Sequence, residues 1–230
     1  MAALLRGVAF IPGAASGIGQ HTALSFAKHG MKALALADIN GEALAKSAAA
    51  LREKCADVKT VELQFDVRDS TSIKSKLTEA VEELGGRLDV AVNNAGIGGG
   101  GKPTPEASEE EWLRIIDKIA IMLKQEHLGP RIGRGVIINV APGTTIAQSA
   151  YAAAKYGVVG LSKRDGNTFG QHGIRVNAIC PGYVETPLLR GSMETTTDSP
   201  LGDSIIMMAS PLASFMNSAA IVVDSEFTAQ

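Results

Sequence analysis

The chain has 230 residues, 45% of them hydrophobic and 20% charged, enough apolar material for one sizeable core and too little polarity for a disordered protein. A net charge of -2 provides no electrostatic footing for nucleic acid or an anionic membrane, which leaves small molecules as the expected partners. The two cysteines, Cys55 and Cys180, have no metal-ligand spacing and read as reduced core thiols, so no metal and a cytoplasmic location are expected. The first ten residues carry Arg6 inside their apolar run and pass directly into a glycine-rich turn, too short a stretch for a signal sequence or membrane span.

Short apolar runs at Val8–Ile11, Ala33–Ala37, Val61–Phe65, Leu88–Val92, Val136–Val140, Ile174–Ile179 and Ala220–Val223 predict strands. Helical spacing fills the intervals at Gly17–His29, Gly41–Lys54, Ser70–Leu84, Glu109–Gln125 and Ser149–Phe169. Continuous apolar strands alternating with helices predict an α/β fold. Its sheet is single, doubly wound and parallel, with about seven strands and helices on both faces, and residues 1–230 form one domain. The Gly98–Gly101 run with Lys102-Pro103-Thr104-Pro105 reads either as a loop at the ligand-binding edge or as a plain glycine linker.

The first strand leads into Gly13-Ala14-Ala15-Ser16-Gly17-Ile18-Gly19 and then a helix. Glycines at 13, 17 and 19 let backbone N–H groups approach a pyrophosphate at the helix N-terminus, where the dipole favours anions. Asp38 ends the second strand, where a carboxylate accepts both ribose hydroxyls and repels a 2′-phosphate, so NAD is preferred, with NADP not excluded. Asp38 also reads as a cap for the next helix, a role equally open to Asn40.

Further motifs follow in the same order: Asp66-Val67 after the third strand, Asn93-Asn94-Ala95-Gly96 after the fourth, Tyr151-Ala152-Ala153-Ala154-Lys155, and Pro181-Gly182-Tyr183-Val184-Glu185-Thr186. Together with the glycine turn, these resemble the motifs of the short-chain dehydrogenase/reductase family along nearly the whole chain. The resemblance implies a Rossmann-fold oxidoreductase interconverting a secondary alcohol and a ketone. It assigns Tyr151 and Lys155 to catalysis, Lys155 also to the cofactor ribose, and Gly13, Ser16, Gly17, Ile18, Gly19, Asp38, Asp66, Val67, Asn93, Ala95, Gly96, Val184 and Thr186 to the cofactor. It further implies a homo-dimer or homo-tetramer assembled through the helices at 109–125 and 149–169. Independently, residues four apart share a helical face, and an ammonium beside a phenol that otherwise titrates near pH ~10 favours the phenolate needed for proton transfer.

Three departures fall around the expected substrate cleft. Val140-Ala141-Pro142 stands where the family carries a serine, and Thr144, Thr145 and Ser149 are all at the wrong offset. Trp112–Lys118 passes straight into Ile119-Ala120-Ile121-Met122-Leu123, omitting about ten residues with the relay asparagine, some 15 Å of helix at 1.5 Å per residue. The loop after Leu189 is short as well. Two readings compete: a relative that binds NAD but has lost efficient chemistry, or an enzyme whose cleft segments are missing from this chain, the latter favoured because few folds close such a gap without rearrangement.

Overall fold

The structure, a computed structural model, describes residues 3–67, 69–95, 116–141, 149–182 and 200–224, with side chains left out at 70–72, 116, 149–154 and 200. The described residues form seven strands: β1 (Val8–Pro12), β2 (Ala33–Asp38), β3 (Lys59–Gln64), β4 (Val90–Asn93), β5 (Gly135–Val140), β6 (Ile174–Pro181) and β7 (Ala220–Val223). The helices are α1 (Gly17–Lys28), α2 (Gly41–Lys54), α3 (Ser70–Glu83), α4 (Ile116–Leu123), α5 (Ser149–Phe169) and α6 (Pro200–Ala209). All strand pairs are parallel, in the order β3-β2-β1-β4-β5-β6-β7.

The order reverses between β1 and β4, which opens a crevice at the carboxyl edge of the sheet. Two apolar layers sandwich the strands. One joins Phe26 of α1, Leu44 and Leu51 of α2 and Ile205 of α6 to Ile11, Leu34 and Ile138. The other joins Leu77 of α3 and Met122 of α4 to Phe10, Ala91 and Ile137, with Leu161 of α5 packed against it. Burial on both faces explains why β1, β2 and β5 read as unbroken apolar runs rather than alternating ones.

Two of the boundaries that differ from the sequence expectation share one reason. The helix expected at 109–125 is described from Ile116 and ends at Leu123; residues 109–115 lie outside the described residues. Gln125 leaves the helix because its side chain does backbone work: Oε1 accepts from Leu88 N at 2.6 Å, while Nε2 donates to Leu88 O at 3.0 Å and Arg134 O at 2.7 Å. That amide takes both backbone groups of Leu88, and β4 begins at Val90 instead of Leu88.

Candidate active site

The glycine turn joins β1 to α1. Gly13 has φ of 75°, and a Cβ built there would stand 2.9 Å from Asn94 Nδ2 and 3.2 Å from Ala95 Cα, so only glycine seats the turn against the end of β4. A Cβ on Gly19 would strike the carbonyl oxygen of Gly13, which is how α1 comes so close to its strand. Gly17, at φ 53°, and Ile18 open the helix. Ser16 is the N-cap but its side chain makes no cap hydrogen bond, and the first turn carries no acidic residue. Donors at this helix end are therefore left to an anion, and the turn fits a pyrophosphate.

Asp38 lies at the end of β2, partly buried, with each carboxylate oxygen engaged: Oδ2 accepts from Ala15 N at 3.1 Å and Oδ1 from Asn40 N at 3.0 Å. The cap of α2 is Asn40, which accepts from Ala43 N at 3.0 Å, so the alternative of Asp38 as cap is excluded. Asp38 instead braces the glycine turn. A carboxylate offers about four lone-pair sites, so capacity for ribose hydroxyls remains. A buried Ser47 on α2 fastens the same turn, donating to Ala14 O at 2.8 Å.

Asp66 and Val67, both partly buried, follow β3, and the Asp66 carbonyl accepts from Asp69 N at 3.0 Å. Asn93, the last residue of β4, and Asn94, just beyond it, clamp the strand to its neighbours on either side. Asn94 Nδ2 donates to Pro12 O of β1 at 3.3 Å, and Asn93 Nδ2 donates to Asn139 Oδ1 of β5 at 2.6 Å. Val67, Asn93 and Ala95 line a cavity of about 20 Å³ together with Phe10 and Lys118. Lys118 is only 2% exposed, with Nζ 5.6 Å from the centre of the Phe10 ring.

Tyr151 occupies the first turn of α5 and Lys155 the next, Lys155 being partly buried; the Tyr151 side chain is outside the described part. Gly96, Val184 and Thr186 lie outside the described residues, as do Thr144 and Thr145. Gly182, two positions before Val184 in the sequence, donates its N–H to Val223 O at 3.0 Å. Cys180 is buried just before it, and burial pushes its thiol pKa up, as suits a core thiol rather than a nucleophile.

Sequence reasoning missed Lys118, Ser47, Asn139 and Ser162. Asn139 could have been found, because it is the lone polar side chain in the apolar strand Val136–Val140. Among the described residues, no group of three or more His, Cys, Asp or Glu is placed to hold a metal ion. No helix among them is long and apolar enough to cross a membrane.

Comparison with known proteins agrees with this geometry. The family model described as short chain dehydrogenase matches residues 7–197. Levodione reductase of Leifsonia aquatica is 36% identical over 199 residues, covering 81% of this chain and 73% of that protein; a crystal structure of levodione reductase superposes with a TM-score of 0.83, covering 97% and 98% of the two chains. Cyclohexanol dehydrogenase of an Acinetobacter strain is 35% identical across 97% of this chain and 95% of its own. That alignment runs to 246 positions against the 230 residues here, so the relative carries residues that this chain lacks. Carveol dehydrogenase from Mycobacterium avium, solved in complex with NAD, superposes at a TM-score of 0.82 with 25% identity over the full length of both chains. A glycine turn uncapped by side chains, an acid closing β2 and a paired-asparagine clamp at the end of β4 thus occur in a chain that belongs to the short-chain dehydrogenase family of oxidoreductases.

Proposed function

We propose that the protein is an NAD(H)-dependent oxidoreductase that interconverts a small, largely apolar secondary alcohol and its ketone. The observation that carries this reading is the pairing of an uncapped α1 N-terminus with the Asp38 carboxylate at the carboxyl ends of the neighbouring strands β1 and β2. Backbone donors meet a pyrophosphate, and the carboxylate meets unphosphorylated ribose hydroxyls. When bound, the nicotinamide supplies the hydride acceptor or donor.

In this reading, Tyr151 moves the hydroxyl proton. Its position in the first turn of α5 sets it at the positive end of a 21-residue helix, and Lys155 stands one turn along the same face. Both features favour the phenolate, the form that accepts a proton from an alcohol. Lys155 also holds the cofactor ribose, with Asp66, Val67, Asn93, Ala95, Gly96, Val184 and Thr186 completing the cofactor wall. The names of the relatives point to cyclohexanol-like ring alcohols as first substrates to try.

A second reading is a nucleotide-binding protein with little turnover, favoured by the residues missing relative to cyclohexanol dehydrogenase and by Ala141 following β5 where the family carries serine. NADH fluorescence titration with a panel of cyclic ketones and alcohols separates the two. The proposal expects saturable NADH binding, turnover of at least one ring substrate, and a Tyr151→Phe variant that binds NADH normally but turns over nothing. Absent NADH binding overturns the proposal, surviving turnover in Tyr151→Phe removes Tyr151 from it, and binding without turnover supports the second reading.

A further inference from the structure

A buried chain of side chains links the end of β4 to the helix that carries Tyr151 and Lys155. Asn93 and Asn139 are register partners on adjacent strands, and Asn93 Nδ2 donates to Asn139 Oδ1 at 2.6 Å. Asn139, 1% exposed, donates from Nδ2 to Ser162 Oγ at 2.8 Å, and Ser162, fully buried on α5, donates to Val158 O at 2.7 Å. Ser162 lies eleven residues beyond Tyr151 and seven beyond Lys155, spacings that return to the same helical face.

The polarity of this chain follows from its last member. A backbone carbonyl only accepts, so the single Ser162 proton goes to Val158 and the hydroxyl must accept from Asn139. Asn139 consequently turns Oδ1 to Asn93. Asn93 must spend its amide nitrogen there, which leaves its carbonyl oxygen as the acceptor that this residue brings to the cavity it lines with Ala95 and Val67.

We infer that Ser162 and Asn139 are positioning residues of the cofactor site: they lock the Asn93 amide so that its oxygen, not its nitrogen, meets the dinucleotide, selecting a ligand hydroxyl or N–H donor at that point. The inference rests on the cofactor reading above and deepens it. Lys155 and Asn93, on different elements, are thereby held in one frame.

The test is NADH titration alongside thermal unfolding, on the intact chain, for Ser162→Ala, Ser162→Thr and Asn139→Asp. Removing the hydroxyl leaves an Asn139 N–H orphaned in the core, and an orphaned N–H is tolerated less well than an under-satisfied carbonyl. The amides then flip, Asn93 shows its nitrogen, and the NADH Kd rises about fivefold or more. Ser162→Thr keeps the hydroxyl and keeps the affinity. Asn139→Asp presents only acceptors to Asn93, so it preserves the Asn93 orientation and the Kd while burying a charge and lowering Tm. A purely structural role predicts that affinity tracks stability in all three. Ser162→Ala binding NADH within twofold of wild type, or a folded Asn139→Asp with weakened binding, overturns the inference while leaving the cofactor reading intact. Wild type that binds no NADH overturns both.

Discussion

Replacing Asp38 separates two jobs that one carboxylate performs. Its oxygens accept from Ala15 N at 3.1 Å and Asn40 N at 3.0 Å, so Asp38→Ala strips two backbone donors of their partner. Because the group is partly exposed, water replaces much of each bond, and the stability loss is about 1 kcal/mol. The ligand term is separate. A carboxylate about 6 Å from a 2′-phosphate of charge about −2 opposes NADPH by roughly 1.4 kcal/mol even at the dielectric constant of bulk water, a tenfold discrimination. Loss of the acceptor for the ribose hydroxyls weakens NADH by about another 1–2 kcal/mol. Asp38→Ala and the near-isosteric Asp38→Asn should therefore shift the ratio of NADPH to NADH dissociation constants by tenfold or more towards NADPH, with a modest fall in Tm. Fluorescence titration of both cofactors and thermal unfolding read these quantities on one sample. A lowered Tm with an unchanged ratio means that Asp38 braces the turn and reads no ribose. Wild type already preferring NADPH tenfold refutes the reasoning outright.

Other perturbations probe the frame around the site. Gly13→Ala forces an L side chain into φ 75° against Asn94, which should cost about 1–2 kcal/mol in urea unfolding and weaken NADH; an unaltered midpoint means that the turn relaxes freely. Arg175 is partly buried, its pKa drawn down to about 10 by burial, and it donates to Met208 O at 2.9 Å and Met216 O at 3.2 Å. Arg175→Met should destabilise by about 2–3 kcal/mol, as measured by urea denaturation, because the carbonyls of Met208 in the last turn of α6 and of Met216 beyond it lose a charged donor; a change below about 0.5 kcal/mol contradicts this. Burial, and secondarily Lys54, lowers the pKa of His21 from 6.5, so the unfolded chain binds the proton more readily than the folded one. Stability should fall as pH drops below about 6.5 and level off beneath the folded pKa, and Gln at position 21 should remove that component; being half-exposed, the histidine contributes under about 1 kcal/mol. Melting curves from pH 7.5 to 5 that superpose for the two proteins would contradict the assignment.

Strand number, helix placement and the doubly wound arrangement were legible in the chain because each is a periodic signal, and burial on both faces makes the inner strands β1, β2 and β5 largely apolar. The predicted helix at 149–169 matches α5 end to end, and the glycine turn could be read because positive φ and close approach leave glycine few substitutes. Register and side-chain pairing carry no such signal. Tertiary contact alone decided that Gln125 ends α4 early by taking over the backbone of Leu88 and that Asn139 and Ser162 meet. Each depends on which residues from distant segments stand within 3 Å of one another. A local pattern records the faces a segment must bury, whereas the partner of a buried polar group is set only when strands align and the helix is laid across them.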